Sequence, residues 1–168
     1  RLYGLETVGE CLKDKKVSAL LKKCIFEEII PTIGDTEDNR AFGAAVLERF
    51  SNPFIRHLLL SIALNSVSKF KARVLPTILE YKEQFGRYPQ ALVFSLAALI
   101  SFYRTDESND GEEIMQYMKT APVSDILTRE DYWGEDLTAL LPDVEKWYHI
   151  IQSEGMDKAY EAILAVEG

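Results

Sequence analysis

Phe54-Ile55-Arg56-His57-Leu58-Leu59-Leu60-Ser61-Ile62-Ala63-Leu64-Asn65-Ser66-Val67-Ser68-Lys69-Phe70-Lys71-Ala72-Arg73-Val74-Leu75-Pro76 is the run that decides the fold class. Its apolar residues recur at Phe54, Ile55, Leu58, Leu59, Ile62 and Ala63, and again at Val67, Phe70, Val74, Leu75, Ile78 and Leu79. Three- and four-residue intervals are the mark of helix with one buried side. The pattern predicts either one long helix or two with a break near Asn65-Ser66.

Within that apolar run His57, Ser61, Asn65, Lys69 and Arg73 fall at four-residue steps. Each step turns a helical position by about 40°, so the five form a slowly drifting polar stripe. Spacing alone leaves two readings open. Either the stripe faces water, with Lys69, Lys71 and Arg73 as its solvated end, or Asn65 and Ser66 cap a second helix; or else it lines a cleft, where Lys69 and Arg73 supply positive charge and His57, Ser61 and Asn65 hydrogen-bond hydroxyls. A small anionic polyol or sugar acid suits the second.

The same period extends outward in both directions. Upstream, Val17, Leu20, Leu21, Cys24, Ile25, Phe26, Ile29 and Ile30 predict a helix that ends at or just before Pro31. Thr36-Glu37-Asp38-Asn39 reads as the start of another, with Phe42, Ala45, Val46 and Phe50 as its inward face and a stop before Asn52-Pro53. Downstream, Gly86 and Pro89 punctuate the chain before Ala91 to Tyr103, which is apolar almost all round and belongs at the centre of the domain. Thr105 to Gly111 reads as a solvated acidic loop. Further helices are expected over Glu112–Met118, Asp136–Ser153 and, after a capping Gly155, Met156–Val166. No period-two run or βαβ rhythm interrupts this, so the fold expected is all-α and multi-helical, one domain over residues 1–168.

Other chemistry-bearing residues carry less. Glu27-Glu28 and Glu112-Glu113 are chain neighbours that point about 100° apart on a helix, so they cannot flank one substrate, and they read as solvated. His149, beside Trp147 and Tyr148, reads as a packing or surface residue. Cys11 and Cys24 have neither metal-ligand spacing nor the density of a disulfide scaffold, and no metal is expected.

With 47% hydrophobic and 27% charged residues the 168-residue chain has the composition of an ordinary globular domain. Its net charge of −8 opposes a phosphate backbone, so nucleic acid is not an expected partner. No apolar run nears the roughly 20 residues that span a bilayer, and no signal-peptide pattern opens the chain, so no membrane is expected and the location expected is cytoplasmic. The start Arg1-Leu2-Tyr3, without an initiator Met, is what a piece of a longer protein would show.

One resemblance goes further. Arg49-Phe50-Ser51-Asn52-Pro53-Phe54-Ile55-Arg56-His57 and Leu60 through Pro76, with Leu5 to Glu10, Glu27-Glu28-Ile29-Ile30-Pro31, Phe94 to Ile100 and Phe102-Tyr103-Arg104, resemble in order and spacing the C-terminal domain of the tagaturonate reductases (altronate oxidoreductases). These belong to the polyol-specific long-chain dehydrogenase family, which includes mannitol dehydrogenase and fructuronate reductase.

The resemblance implies a helical domain like the C-terminal one of 6-phosphogluconate dehydrogenase. It also implies an N-terminal dinucleotide-binding domain, not contained in this chain, that binds most of the NAD, and a substrate cleft between the two. The family's catalytic Lys, Asn and His fall upstream of the position matched by Arg1, so no catalytic residue is expected here and the chain alone is expected to be inactive.

Lys69 matches a lysine that contacts substrate in mannitol dehydrogenase-like members. Ser61 stands where those members carry a substrate-binding Arg, and Asn65-Ser66 stands for their Asp-Gly; both departures favour the tagaturonate branch. The substrate-binding residues expected are therefore Lys69, Ser61, His57, Asn65 and Arg73, acting on a sugar acid. A fructuronate reductase, another polyol dehydrogenase of the family, and a free-standing helical binding module are the alternatives.

Overall fold

Thr7 opens the first helix with a reciprocal cap. Its hydroxyl accepts from the Glu10 N–H at 3.2 Å and the Glu10 carboxylate accepts from the Thr7 N–H at 3.1 Å, so two donors that the first turn leaves open are satisfied. In the computed structural model, which describes residues 1–167, α1 (Val8–Lys13) hands over at Asp14 to α2 (Lys15–Lys22). Asp14 caps α2 by accepting from the Lys16 and Val17 N–H groups, both at 2.9 Å.

α2 runs unbroken into a π-helical segment, Lys23–Ile29, and then α3 (Ile30–Ile33). The helix expected to stop at Pro31 therefore continues past it. Pro31 falls on the first turn after a wide segment in which the Ile30 N–H bonds the Ile25 carbonyl five residues back, so its missing N–H is tolerated as at a helix start. The wide turn also changes which side faces in: Glu28 and Ile30 are buried while Glu27 is exposed.

α4 (Glu37–Phe50) starts as read, with the Thr36 hydroxyl accepting from the Asn39 N–H, and stops before Asn52-Pro53. Its inward face differs from the expected one. Phe42 is 66% exposed and Phe50 40%, Ala45 is exposed and Val46 half-buried, and the buried residue is Gly43. The helix seats so closely on the π-helical segment that a Cβ at Gly43 would lie 3.0 Å from Ile25 Cγ2 and 3.2 Å from Ile30 Cδ1. The contact selects the smallest side chain rather than the most apolar ones.

The deciding run is divided. α5 (Leu59–Ile62) and α6 (Ser66–Arg73) meet at Asn65, and α7 (Leu75–Phe85) follows with Pro76 in its first turn. Asn65 has φ 53° and ψ 44°, the left-handed region, alone among the described non-glycine residues. The break near Asn65-Ser66, one of the two expected forms, is the one found.

α8 (Gln90–Tyr103) is the central element, with Ala91, Val93, Leu96, Ala97, Ile100 and Tyr103 fully buried. A helix apolar on all sides has to be surrounded. α9 (Glu112–Thr120), α10 (Val123–Leu127), α11 (Glu130–Trp133), a 3₁₀ turn at Thr138–Leu140, α12 (Leu141–Glu154) and α13 (Met156–Leu164) complete the chain.

The element read as one helix from Asp136 begins as that 3₁₀ turn, where the Asp136 carboxylate accepts from the Thr138 N–H at 2.7 Å. α12 packs along α8 more extensively than any other pair of helices. Trp147 meets Phe94 edge-on at 5.7 Å and donates its indole N–H to Gln90 Oε1 at 2.9 Å. Trp133, on α11, packs on Phe70 of α6 and donates to the Ile126 carbonyl at 2.9 Å. Fully burying side chains of this size contributes about 2–3 kcal/mol each.

All the regular elements among the described residues are helical, and the single bridge between extended residues, Thr7 with Leu58, is isolated. The all-α expectation holds. No helix among them is long and apolar enough to cross a membrane.

Candidate functional site

Residues 52–58 are not helical, although their apolar pattern suggested helix from Phe54. Asn52 turns the chain by accepting from the Phe54 N–H through its side-chain oxygen at 3.0 Å, an Asx turn. The next residues are then stapled to the start of α1: the Val8 N–H donates to the His57 carbonyl at 3.0 Å and the Leu59 N–H to the Glu6 carbonyl at 2.9 Å.

This backbone pairing holds the strip in place while turning its side chains outward. Phe54 is 94% exposed, and Ile55, Leu58, Leu60, Ile62 and Leu64 are each 38–50% exposed. So many large apolar side chains on one exposed segment form the kind of apolar surface that is characteristic of interaction sites.

The five expected substrate residues lie along this strip and just after it, but not as one stripe. His57 precedes α5, half-buried, with its ring edge-on to Phe50 at 5.9 Å. Ser61 is exposed on α5. Asn65 forms the left-handed joint; its N–H donates to the Asn109 carbonyl at 3.0 Å, and its side chain makes no capping bond to α6. Lys69 and Arg73 share α6, Lys69 half-buried and Arg73 exposed at the last turn.

The break at Asn65 ends the continuous four-residue register, yet Lys69 reaches back across it. The Lys69 N–H donates to the Asn65 carbonyl at 3.2 Å, and the Lys69 ammonium donates to the carbonyl of Ile62, next to Ser61, at 2.8 Å. A cation is favourable at that open helix end. An ammonium carries three N–H donors, and this bond uses one. No side-chain hydrogen bond ties His57 or Arg73 to this joint among the described residues. Asn65 and Lys69 are therefore brought together at the joint, Ser61 lies on α5 beside the Ile62 carbonyl that Lys69 bonds, and His57 and Arg73 stand at the two ends.

The nearest concavity is an open apolar groove of about 350 Å³ beneath α5, lined among others by Leu59, Ile62, Ala63, Phe102 and Tyr160. None of the five residues lines it, so the joint presents its polar groups on a surface rather than in an enclosed pocket.

Two polar groups matter more than the sequence reading allowed. Glu28, expected on a solvated face, is 4% exposed, and its two carboxylate oxygens accept from the Ala91 and Leu92 N–H groups at 2.9 and 2.8 Å. It caps α8 from another helix. Burial pushes its carboxyl up to about 7, against the opposing effect of the two N–H bonds. A signal was present: Tyr88-Pro89-Gln90 offers no Ser, Thr, Asp or Asn to cap a buried helix start, so an outside acceptor was required.

The second is Asp110, in the loop read as solvated. Its carboxylate accepts from the Tyr103 hydroxyl at 2.6 Å and from the Gly111 N–H at 2.7 Å. Burial first, and then this bond, pushes the Tyr103 phenol well above its usual value.

Cys11 and Cys24 are free thiols, and burial pushes Cys24 up to about 12, where it is no ready nucleophile. Among the described residues no group of three or more His, Cys, Asp or Glu is placed to hold a metal ion. Nor do they include a strand leading through a glycine-rich turn into a helix, the element that cradles a dinucleotide pyrophosphate. The residues present therefore do not fit the main NAD site.

The model of the family described as the mannitol dehydrogenase C-terminal domain matches residues 1–163. An altronate oxidoreductase from Yersinia pestis bv. Antiqua (strain Nepal516) is 39% identical over 184 residues, spanning 96% of this chain and 38% of that protein. One from Pectobacterium atrosepticum is 37% identical over 188 residues, with 95% and 38% covered.

Among solved structures, Pseudomonas fluorescens mannitol 2-dehydrogenase in ternary complex with NAD and D-mannitol superposes with a TM-score of 0.89 at 21% identity, over 99% of this chain and 37% of that one. The last is a likeness of fold.

Proposed function

The chain belongs to the mannitol dehydrogenase C-terminal domain family, and from that premise we propose that it is the substrate-binding domain of an NAD-dependent oxidoreductase that interconverts tagaturonate and altronate. The observation that carries this reading is 39% identity, over 96% of the chain, to an altronate oxidoreductase. The chain spans about 38% of the length of such relatives. NAD, hydride transfer and proton transfer are accordingly assigned to the rest of the protein, an N-terminal dinucleotide-binding domain.

The exposed apolar strip from Phe54 to Leu64 is the surface on which that domain docks, because burying side chains of this kind drives association. Docking turns the open joint at Ser61, Asn65 and Lys69 into one wall of a cleft. There the remaining ammonium donors of Lys69 bind the uronate carboxylate or a neighbouring hydroxyl, strengthened by the exclusion of water. Ser61 offers a neutral donor and acceptor suited to a hydroxyl. His57 and Arg73 bound the same wall at either end.

Lys69→Ala in the full-length protein tests this assignment. Losing one charge-assisted hydrogen bond raises the KM for tagaturonate by about 10- to 100-fold, while the KM for NADH stays within about twofold. Equal rises for both would show Lys69 to be structural and would remove it from the substrate site.

A further inference from the structure

The joint that presents Lys69 is held from outside its own helix. Asn65 sits in the left-handed region, which a non-glycine residue occupies at a cost unless its surroundings fix it. Asn65 nevertheless does not cap α6 with its side chain. Locally, Ser66 Oγ donates to the Ala63 carbonyl at 2.7 Å and Ser68 Oγ to the Asn65 carbonyl at 3.0 Å, and two groups distant in sequence add to the fixing. The Asn109 carbonyl accepts from the Asn65 N–H at 3.0 Å. The Tyr103 hydroxyl accepts from the Val67 N–H, an open donor in the first turn of α6, at 3.3 Å.

Tyr103 is fully buried at the end of α8, the most enclosed helix of the fold. Its own O–H donates to Asp110 at 2.6 Å, one residue beyond Asn109. The phenol oxygen is thus fixed in orientation: proton toward the loop, lone pair toward α6. One buried hydroxyl and one loop carboxylate connect the rigid centre of the domain to the hinge between α5 and α6. The Lys69 ammonium bridges the same hinge from the other side through Ile62.

We propose that Tyr103 and Asp110 are positioning residues for the substrate-facing helix: by locking the left-handed joint at Asn65 they fix where Lys69 presents its ammonium group to the sugar acid. This rests on the assignment of Lys69 to the substrate wall. It gives the Thr105–Gly111 loop, which meets the joint through the Asn109 carbonyl, an influence on affinity. Misplacing a binding group by a fraction of an ångström weakens the contact it makes without altering groups that bind elsewhere.

The test uses Tyr103→Phe, which keeps the ring and removes the hydroxyl, and Asp110→Asn, which lies on the loop and leaves the core intact. Both are made in the full-length protein and read in two ways. Amide hydrogen exchange at Val67 and its α6 neighbours is expected to accelerate by about three- to tenfold, the protection afforded by one neutral hydrogen bond. The KM for tagaturonate is expected to rise by a similar factor, with the KM for NADH and kcat held within about twofold.

Unchanged exchange in both variants overturns the proposal, and so does faster exchange with an unchanged sugar-acid KM. Lys69→Ala measured alongside separates the two levels. If it raises the sugar-acid KM while the positioning variants do not, the positioning claim alone fails. If it too leaves the KM unchanged, the assignment of the substrate wall has failed.

Discussion

Replacing Glu28 with Gln isolates the balance between burial and hydrogen bonding at the centre of the fold. The carboxylate receives two N–H groups at the start of α8, whereas a carboxamide has one oxygen to accept and must turn its NH2 toward the other donor. Leaving one buried N–H unsatisfied costs about 1–3 kcal/mol.

The comparison becomes decisive through pH. Burial raises Glu28 from 4.5 to about 7 in the folded chain, so between those values the folded chain keeps a proton that the unfolded chain releases. Wild-type stability therefore falls as pH rises through that window. At about 1.4 kcal/mol per pH unit the full effect is about 3 kcal/mol.

Gln does not titrate, so the stability difference between wild type and variant should move by about 3 kcal/mol in favour of the variant between pH 4.5 and 8. Contributions from other titrating groups cancel in the difference. Urea unfolding followed by the fluorescence of buried Trp133 and Trp147 measures it, and the midpoint difference should shift by about 1–2 M. A gap that stays constant, or moves toward the wild type as pH rises, would show that the two N–H bonds outweigh burial.

Three further outcomes follow from the packing. Gly43→Ala should gain about 1 kcal/mol of helix propensity but lose about 1–3 kcal/mol by overpacking, since its Cβ would meet Ile25 and Ile30 at 3.0 and 3.2 Å, for a net loss of up to about 2 kcal/mol that thermal unfolding reads directly. Phe54→Ser together with Leu58→Ser should leave the unfolding free energy of the 168-residue chain within about 0.5 kcal/mol per site. In the full-length protein the same pair should split one calorimetric transition into two by weakening the docking of the strip. Asn65→Gly should be neutral or stabilise by up to about 1 kcal/mol, because glycine enters the left-handed region freely, whereas Asn65→Val should destabilise; chemical unfolding separates the two.

The helical period made most of the fold legible. It located α4, α8, α12 and α13 to within a few residues, because each buries enough apolar surface to impress its spacing on the sequence. The misread places share a cause: backbone partners remote in sequence. Phe54 to Leu58 has a helical pattern but is drawn into an extended strip by pairing with the start of α1. Glu28 looked solvated because its partners, the Ala91 and Leu92 N–H groups, lie more than sixty residues away. Phe42 and Phe50 looked like core, but the close seat at Gly43 turns them outward.

The candidate substrate residues were legible as a group through spacing and resemblance. Their arrangement was not, since the left-handed joint at Asn65 is tied to Asn109 and Tyr103, which are remote in sequence, as well as to its own neighbours Ser66 and Ser68.

If this domain confers choice of a sugar acid on an oxidoreductase, substrate preference should show it. The most direct test is the NADH-dependent reduction rate of the full-length protein on tagaturonate, fructuronate and fructose, compared as kcat/KM. Tagaturonate should be reduced with a kcat/KM about tenfold or more above that for fructose, the discrimination that a single charge-assisted contact to a carboxylate supplies over a neutral sugar. Fructose reduced as well as or better than tagaturonate would contradict it.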